Sequence, residues 1–136
     1  MNQIPVWVYD IVQQVATLHG RKGLPVVKWR TVDRKYSSGY FHPARSSYVG
    51  FHGSARRYRY STKPSFISIT AGNDVADQEL VLLHELSHWL NPRTSHTMRF
   101  WRTAFDLYEK FGITNLQREF RYKQKASLAY WKLQGW

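Results

Sequence analysis

The chain has 136 residues and no cysteine, a length that suits one domain, expected over 1–136, with enough core to stand without disulfides. Missing thiols exclude disulfide staples, a thiol nucleophile and a cysteine-bearing zinc ribbon, and suit a reducing cytosol. Twenty Lys and Arg against nine Asp and Glu give a net charge of +11, which favours polyanions but names no ligand.

The first residues lack the basic, apolar and small-residue regions of a signal peptide, and no apolar run nears the roughly 20 residues of a membrane span. A soluble, unprocessed cytoplasmic protein is the expectation. Val8, Ile11, Val12, Val15 and Leu18 recur at helical spacing, predicting a helix over 5–18 that ends at His19-Gly20. The β-branched run 24–32 predicts a strand. Residues 33–47 are rich in Gly, Pro and Ser with poor periodicity, and read as a loop or an irregular hairpin.

Residues 48–60 read as a strand or a hairpin broken near Gly53-Ser54, and SFISIT at 65–70 as a better strand. A turn at 71–74 precedes a helix over 75–90, with Asp74 or Asp77 as its cap and apolar residues almost all round it. Asn91-Pro92 stops that helix. Thr94 or Ser95 can cap the next, which carries Phe100, Ala104, Leu107 and Phe111 on its core stripe and runs to Gly112. A final helix is expected over 116–131, with Trp131, Leu133 and Trp136 packing back on the helices by default or, alternatively, contacting another protein. Together these elements predict an α+β fold of the minimal zincin-like kind. It comprises an N-terminal helix, a small twisted sheet of three or four strands, the 75–90 helix and C-terminal helices.

The chemistry concentrates in HELSHWLNPRTSH, residues 84–96. On a helix, His84 and His88 lie four residues apart on one face, so both imidazoles can reach one metal ion. Glu85 is placed to polarise a water without being a ligand, and HExxH is the zincin arrangement of two nitrogen ligands and a carboxylate base. Burying these three polar groups among Leu82, Leu83 and Leu86 would be costly without a compensating interaction. The third ligand must come from elsewhere. His96 returns after the Asn91-Pro92 break and completes a three-histidine set, with Asp77, Glu79 and Asp106 as competing carboxylates.

Residues 82–90, His96 and Phe100-Trp101 resemble the SprT-like zinc metallopeptidases and related small phage and bacterial metallopeptidases. The resemblance covers mainly 65–111. It implies Zn2+ on His84, His88 and His96, with Glu85 as general base, in a bacterium or a phage-infected host cell. Two departures stand out: His96 is followed by Thr97 where a glycine is common, and the cysteine-rich ribbon of many members is missing.

The reaction implied is peptide-bond hydrolysis, with a protein or peptide as substrate and a monomeric enzyme. SFISIT is either the edge strand that pairs with an extended substrate or an internal strand. Tyr36, Tyr40, His42, His52 and Arg99 are the candidates for stabilising an oxyanion. Two runs, 55–60 and 118–125, interleave cations with aromatics as a nucleic-acid surface would, and also as a solvated strand and an amphipathic helix would. An alternative function is therefore a nucleic-acid-associated zincin-like protein, with DNA-linked proteolysis or none. A purely structural metal site would not require Glu85.

Overall fold

The computed structural model describes residues 3–52, 57–92 and 95–120, and their side chains except at 45–52, 57–63, 117 and 120. Helix α1 spans Val6–Leu18 and buries Val8, Ile11, Val12 and Val15 of the predicted stripe together with Ala16, while Leu18, at the end of the last turn, is exposed. Strands β1 (Val26–Thr31), β2 (Ser38–His42) and β5 (Phe66–Ala71) form a three-stranded mixed sheet in the order β1-β5-β2. β1 runs parallel to β5 and β2 antiparallel to it. Strands β3 (Arg45–His52) and β4 (Arg57–Lys63) form a separate antiparallel ribbon, irregular between Tyr48 and Gly50.

One face of the three-stranded sheet is apolar: Trp29, Phe41, Ile67, Ile69 and Ala71 are buried. Against it pack α1 and helix α2 (Val75–Leu90), and helix α3 (Met98–Lys110) lies along α2. Trp7 of α1 meets Trp29 of β1 edge to face, with ring centroids 5.7 Å apart, which fixes α1 over the sheet. A single turn, α4 (Gln117–Phe120), closes the described chain. The architecture is α+β, and among the described residues no helix is long and apolar enough to cross a membrane.

One expectation changes and one open alternative is decided. Residues 33–47 are not simply irregular, because β2 lies within them and β3 begins at Arg45. The Ser-Gly opening of β2 is unlike a strand, but Phe41 is buried in the core and the pairing with β5 is continuous from Ser38 to His42. SFISIT is also not an edge: β5 is the middle strand, paired on both sides, and β2 is an edge strand. Of the helix expected over 116–131, Gln117–Phe120 is present and 121–131 lies outside the described residues, as do Trp131, Leu133 and Trp136.

Candidate metal centre

Helix α2 starts where Asp74 accepts hydrogen bonds from the backbone N–H groups of Ala76 (3.0 Å) and Asp77 (3.3 Å). It ends where the Asn91 N–H returns to Ser87 and His88 carbonyls. Between those caps the helix is buried on several sides, so His84 and Glu85 lie inside the protein, 8 % and 6 % exposed. His96 arrives from the turn just before α3, not from the helix itself. Thr97 caps α3, its hydroxyl accepting from the Phe100 N–H, in place of the expected Thr94 or Ser95.

The three imidazoles converge. Nε2 of His96 stands 3.1 Å from Nε2 of His84 and 3.3 Å from Nε2 of His88. Among the described residues this is the group of His, Cys, Asp or Glu side chains whose ligand atoms gather closely enough to hold one metal ion. Ligands at about 2.0–2.1 Å from a tetrahedral zinc stand about 3.3 Å from one another, so the spacing suits that coordination.

Aromatic rings set the planes of these imidazoles. His88 stacks on Phe100, 4.2 Å between centroids, and His96 on Trp101 at 5.4 Å. His84 meets the edges of both. Phe100 and Trp101 are fully buried, so the start of α3 acts as a rigid wall for the site.

Glu85 faces a cleft of about 580 Å³ bordered by Gly39, Tyr40, Phe41, Pro43, the three histidines, Pro92 and Ser95. The Phe41 N–H donates to its carboxylate. Burial pushes the Glu85 carboxyl up to about 7, and neighbouring Glu119 adds to this, while His84, the Phe41 N–H and Arg118 pull it down. Phe41 thereby directs its N–H away from β5, so alternate main-chain groups of β2, at Gly39 and Phe41, face the cleft.

The competing carboxylates lie elsewhere. Asp77 accepts from the Ser37 N–H and pairs with Arg118 at 2.6 Å. Asp106 pairs with Lys110 at the surface, 3.2 Å away, and Glu79 borders a different cavity of about 770 Å³ at the start of α2. Tyr36 borders that second cavity as well. Of the oxyanion candidates, Tyr40 reaches the histidine cleft, with its ring 4.6 Å from that of His42. His42 stacks on Phe66 and contacts Ser68 Oγ at 3.2 Å. Arg99 is exposed on α3, and the His52 side chain lies outside the described residues. In the basic runs, 57–60 fall within β4 and Arg118 is committed to Asp77 and the Ser37 carbonyl, while 55, 56 and 121–125 lie outside the described residues.

Two residues that the sequence reading did not name as site candidates border the site closely. Gly39 leaves the space that Glu85 occupies: a Cβ there would stand 2.9 Å from Glu85 Cγ, Ile69 Cδ1 and Val81 Cγ1. Glu119, 3 % exposed, places Oε1 2.7 Å from Nδ1 of His84, on the side of the ring away from the other histidines, and accepts from the Tyr108 hydroxyl. Neither carried a local sequence signal, since Gly39 lies in a stretch that reads as irregular and Glu119 acts through a contact 35 residues away.

Comparisons with protein-family models, with curated proteins and with solved structures find no match to this chain, so the chemistry of the site rests on its own residues.

Proposed function

We propose that this chain is a zinc-dependent peptidase of zincin-like, SprT-like type, in which His84, His88 and His96 hold the ion and Glu85 is the general base. The observation that carries the reading is the convergence of three imidazole nitrogens beside a buried glutamate in one open cleft. The donor set fits: three imidazole nitrogens would leave a fourth tetrahedral position, as catalytic zinc sites do. Zinc at these nitrogens would supply Lewis acidity, acidifying a water and polarising a carbonyl.

The protein's own groups do the rest. Glu85, steadied by the Phe41 N–H, accepts a proton from the water that adds to the carbonyl carbon. As the C–N bond breaks, Glu85 returns that proton to the leaving amine. Among the described residues β2 is an edge strand, and its main-chain groups at Gly39 and the Phe41 carbonyl serve to pair with an extended polypeptide, which makes β2 the proposed substrate-pairing strand where SFISIT was one candidate. A bacterial or phage-infected cytoplasm is the proposed setting, and a monomer the proposed state.

The test is cleavage of a fluorogenic peptide library by zinc-loaded protein. Glu85→Gln should retain zinc and lose about 100-fold or more in rate. Equal cleavage by the variant, or none by zinc-replete wild type, would overturn the peptidase reading. The nucleic-acid reading keeps the +11 charge as its support, but Arg118, one of its expected contacts, is bound within the protein.

A further inference from the structure

A metal-ligating histidine has two ring nitrogens, and the one facing away from the metal decides what the other can do. His84 presents Nε2 to His96 and Nδ1 to Oε1 of Glu119. An acceptor oxygen at Nδ1 places the ring hydrogen there and leaves the Nε2 lone pair toward the other histidines. Glu119 is itself fixed by the Tyr108 hydroxyl, from a fully buried position on α3.

The neighbouring residue anchors the same turn to the other end of α2. Arg118 pairs with Asp77 and donates to the Ser37 carbonyl, both at 2.6 Å. Asp77 in turn accepts from the Ser37 N–H, just ahead of β2. One turn of chain thus grips α2 near its start through Asp77 and near its middle through His84.

The geometry points to Glu119 as a positioning residue that, held by Tyr108, locks His84 in the tautomer and ring orientation needed for Nε2 to bind the metal ion. This rests on the three-histidine reading above and adds a residue 35 positions further along the chain. Carboxylates in this role raise ligand basicity, and their loss costs about 10–100-fold in metal affinity.

Two readouts test it. In metal-free protein, long-range nitrogen–proton NMR of the histidine rings reports the His84 tautomer; the wild type should show a single Nδ1–H form. Cobalt(II) titration, followed by the visible absorption of the bound ion, gives the affinity. Glu119→Ala should lose the single tautomer and weaken cobalt binding about 10–100-fold, while Glu119→Gln, which keeps an acceptor oxygen, retains the tautomer and loses less. Tyr108→Phe, the mildest change, should fall between wild type and Glu119→Ala, and melting of each metal-free variant verifies that it is folded. Unchanged tautomer and cobalt affinity within about twofold of wild type in folded Glu119→Ala would overturn the role of Glu119 alone. A wild type that takes up no cobalt, with His84 in the Nδ1–H form, would instead overturn the metal reading on which it rests.

Discussion

Gly39 and Glu85 occupy one space: the glycine on edge strand β2 lacks the Cβ that would stand 2.9 Å from Glu85 Cγ. The contact links a strand with weak strand character to the helix that carries the chemistry. Because Ile69 and Val81 crowd the same point, the neighbours have little room to yield. Gly39→Ala should therefore cost about 1–3 kcal/mol of stability through overpacking. On the proposed peptidase reading it should also displace Glu85, lowering cleavage rate more than zinc content; urea denaturation, with zinc content and peptide cleavage measured on the same sample, checks both.

The raised Glu85 carboxyl makes a signed prediction for the metal-free protein. Its pKa is about 7 when folded against an ordinary value of 4.5, so between those values the folded state holds a proton that the unfolded state releases. Stability should fall as pH rises through that window and level off above it. Glu85→Gln removes the effect and should be more stable than wild type at pH 8 by on the order of 3 kcal/mol, and nearly equal at pH 4. Thermal melts of both proteins in chelator across this range are the measurement. A wild type that gains stability relative to the variant as pH rises would contradict the assignment.

The Arg118–Asp77 pair is the clamp on the start of α2. Asp77 is 8 % exposed at its side chain and Arg118 26 %, so removing the guanidinium leaves a buried carboxylate with less compensation. Arg118→Ala should destabilise by about 1–3 kcal/mol, below the range for fully buried pairs because water still reaches the arginine. A double-mutant cycle with Asp77→Asn isolates the pair. Additivity of the two changes would contradict the coupling.

Phe100 tests the aromatic wall. It is fully buried, stacks on His88 and meets the edges of His84 and His96. Phe100→Ala should cost about 3–5 kcal/mol by opening a cavity, and Phe100→Leu less. Because the ring also sets imidazole planes, Phe100→Leu should weaken cobalt binding while remaining folded, and unchanged cobalt affinity would contradict that role.

Much of this site is legible in the amino-acid order. The span of α2 follows from an unbroken apolar run between an Asp and an Asn-Pro, and the i, i+4 histidines inherit one face from it. His96 follows from the helix break, and Asp74 as the cap from its place before the run. What escaped depends on long-range pairing. β2 is hidden by its Ser-Gly start, because its strand character comes from β5 beside it and from Phe41 sinking into the core. The central place of β5 is a matter of topology, which a period-two pattern does not encode. Glu119 sits in a one-turn helix with no clean polarity pattern, and its importance lies in a contact 35 residues back.

The central claim is that three histidines bind one ion, and metal content is its most direct test. Inductively coupled plasma mass spectrometry on wild type, His84→Ala and His96→Ala, each exposed to zinc and dialysed identically, should find one zinc per wild-type chain and loss in both variants. A wild type without metal after the same handling would contradict the account, and zinc retained by His96→Ala would remove His96 from the ligand set.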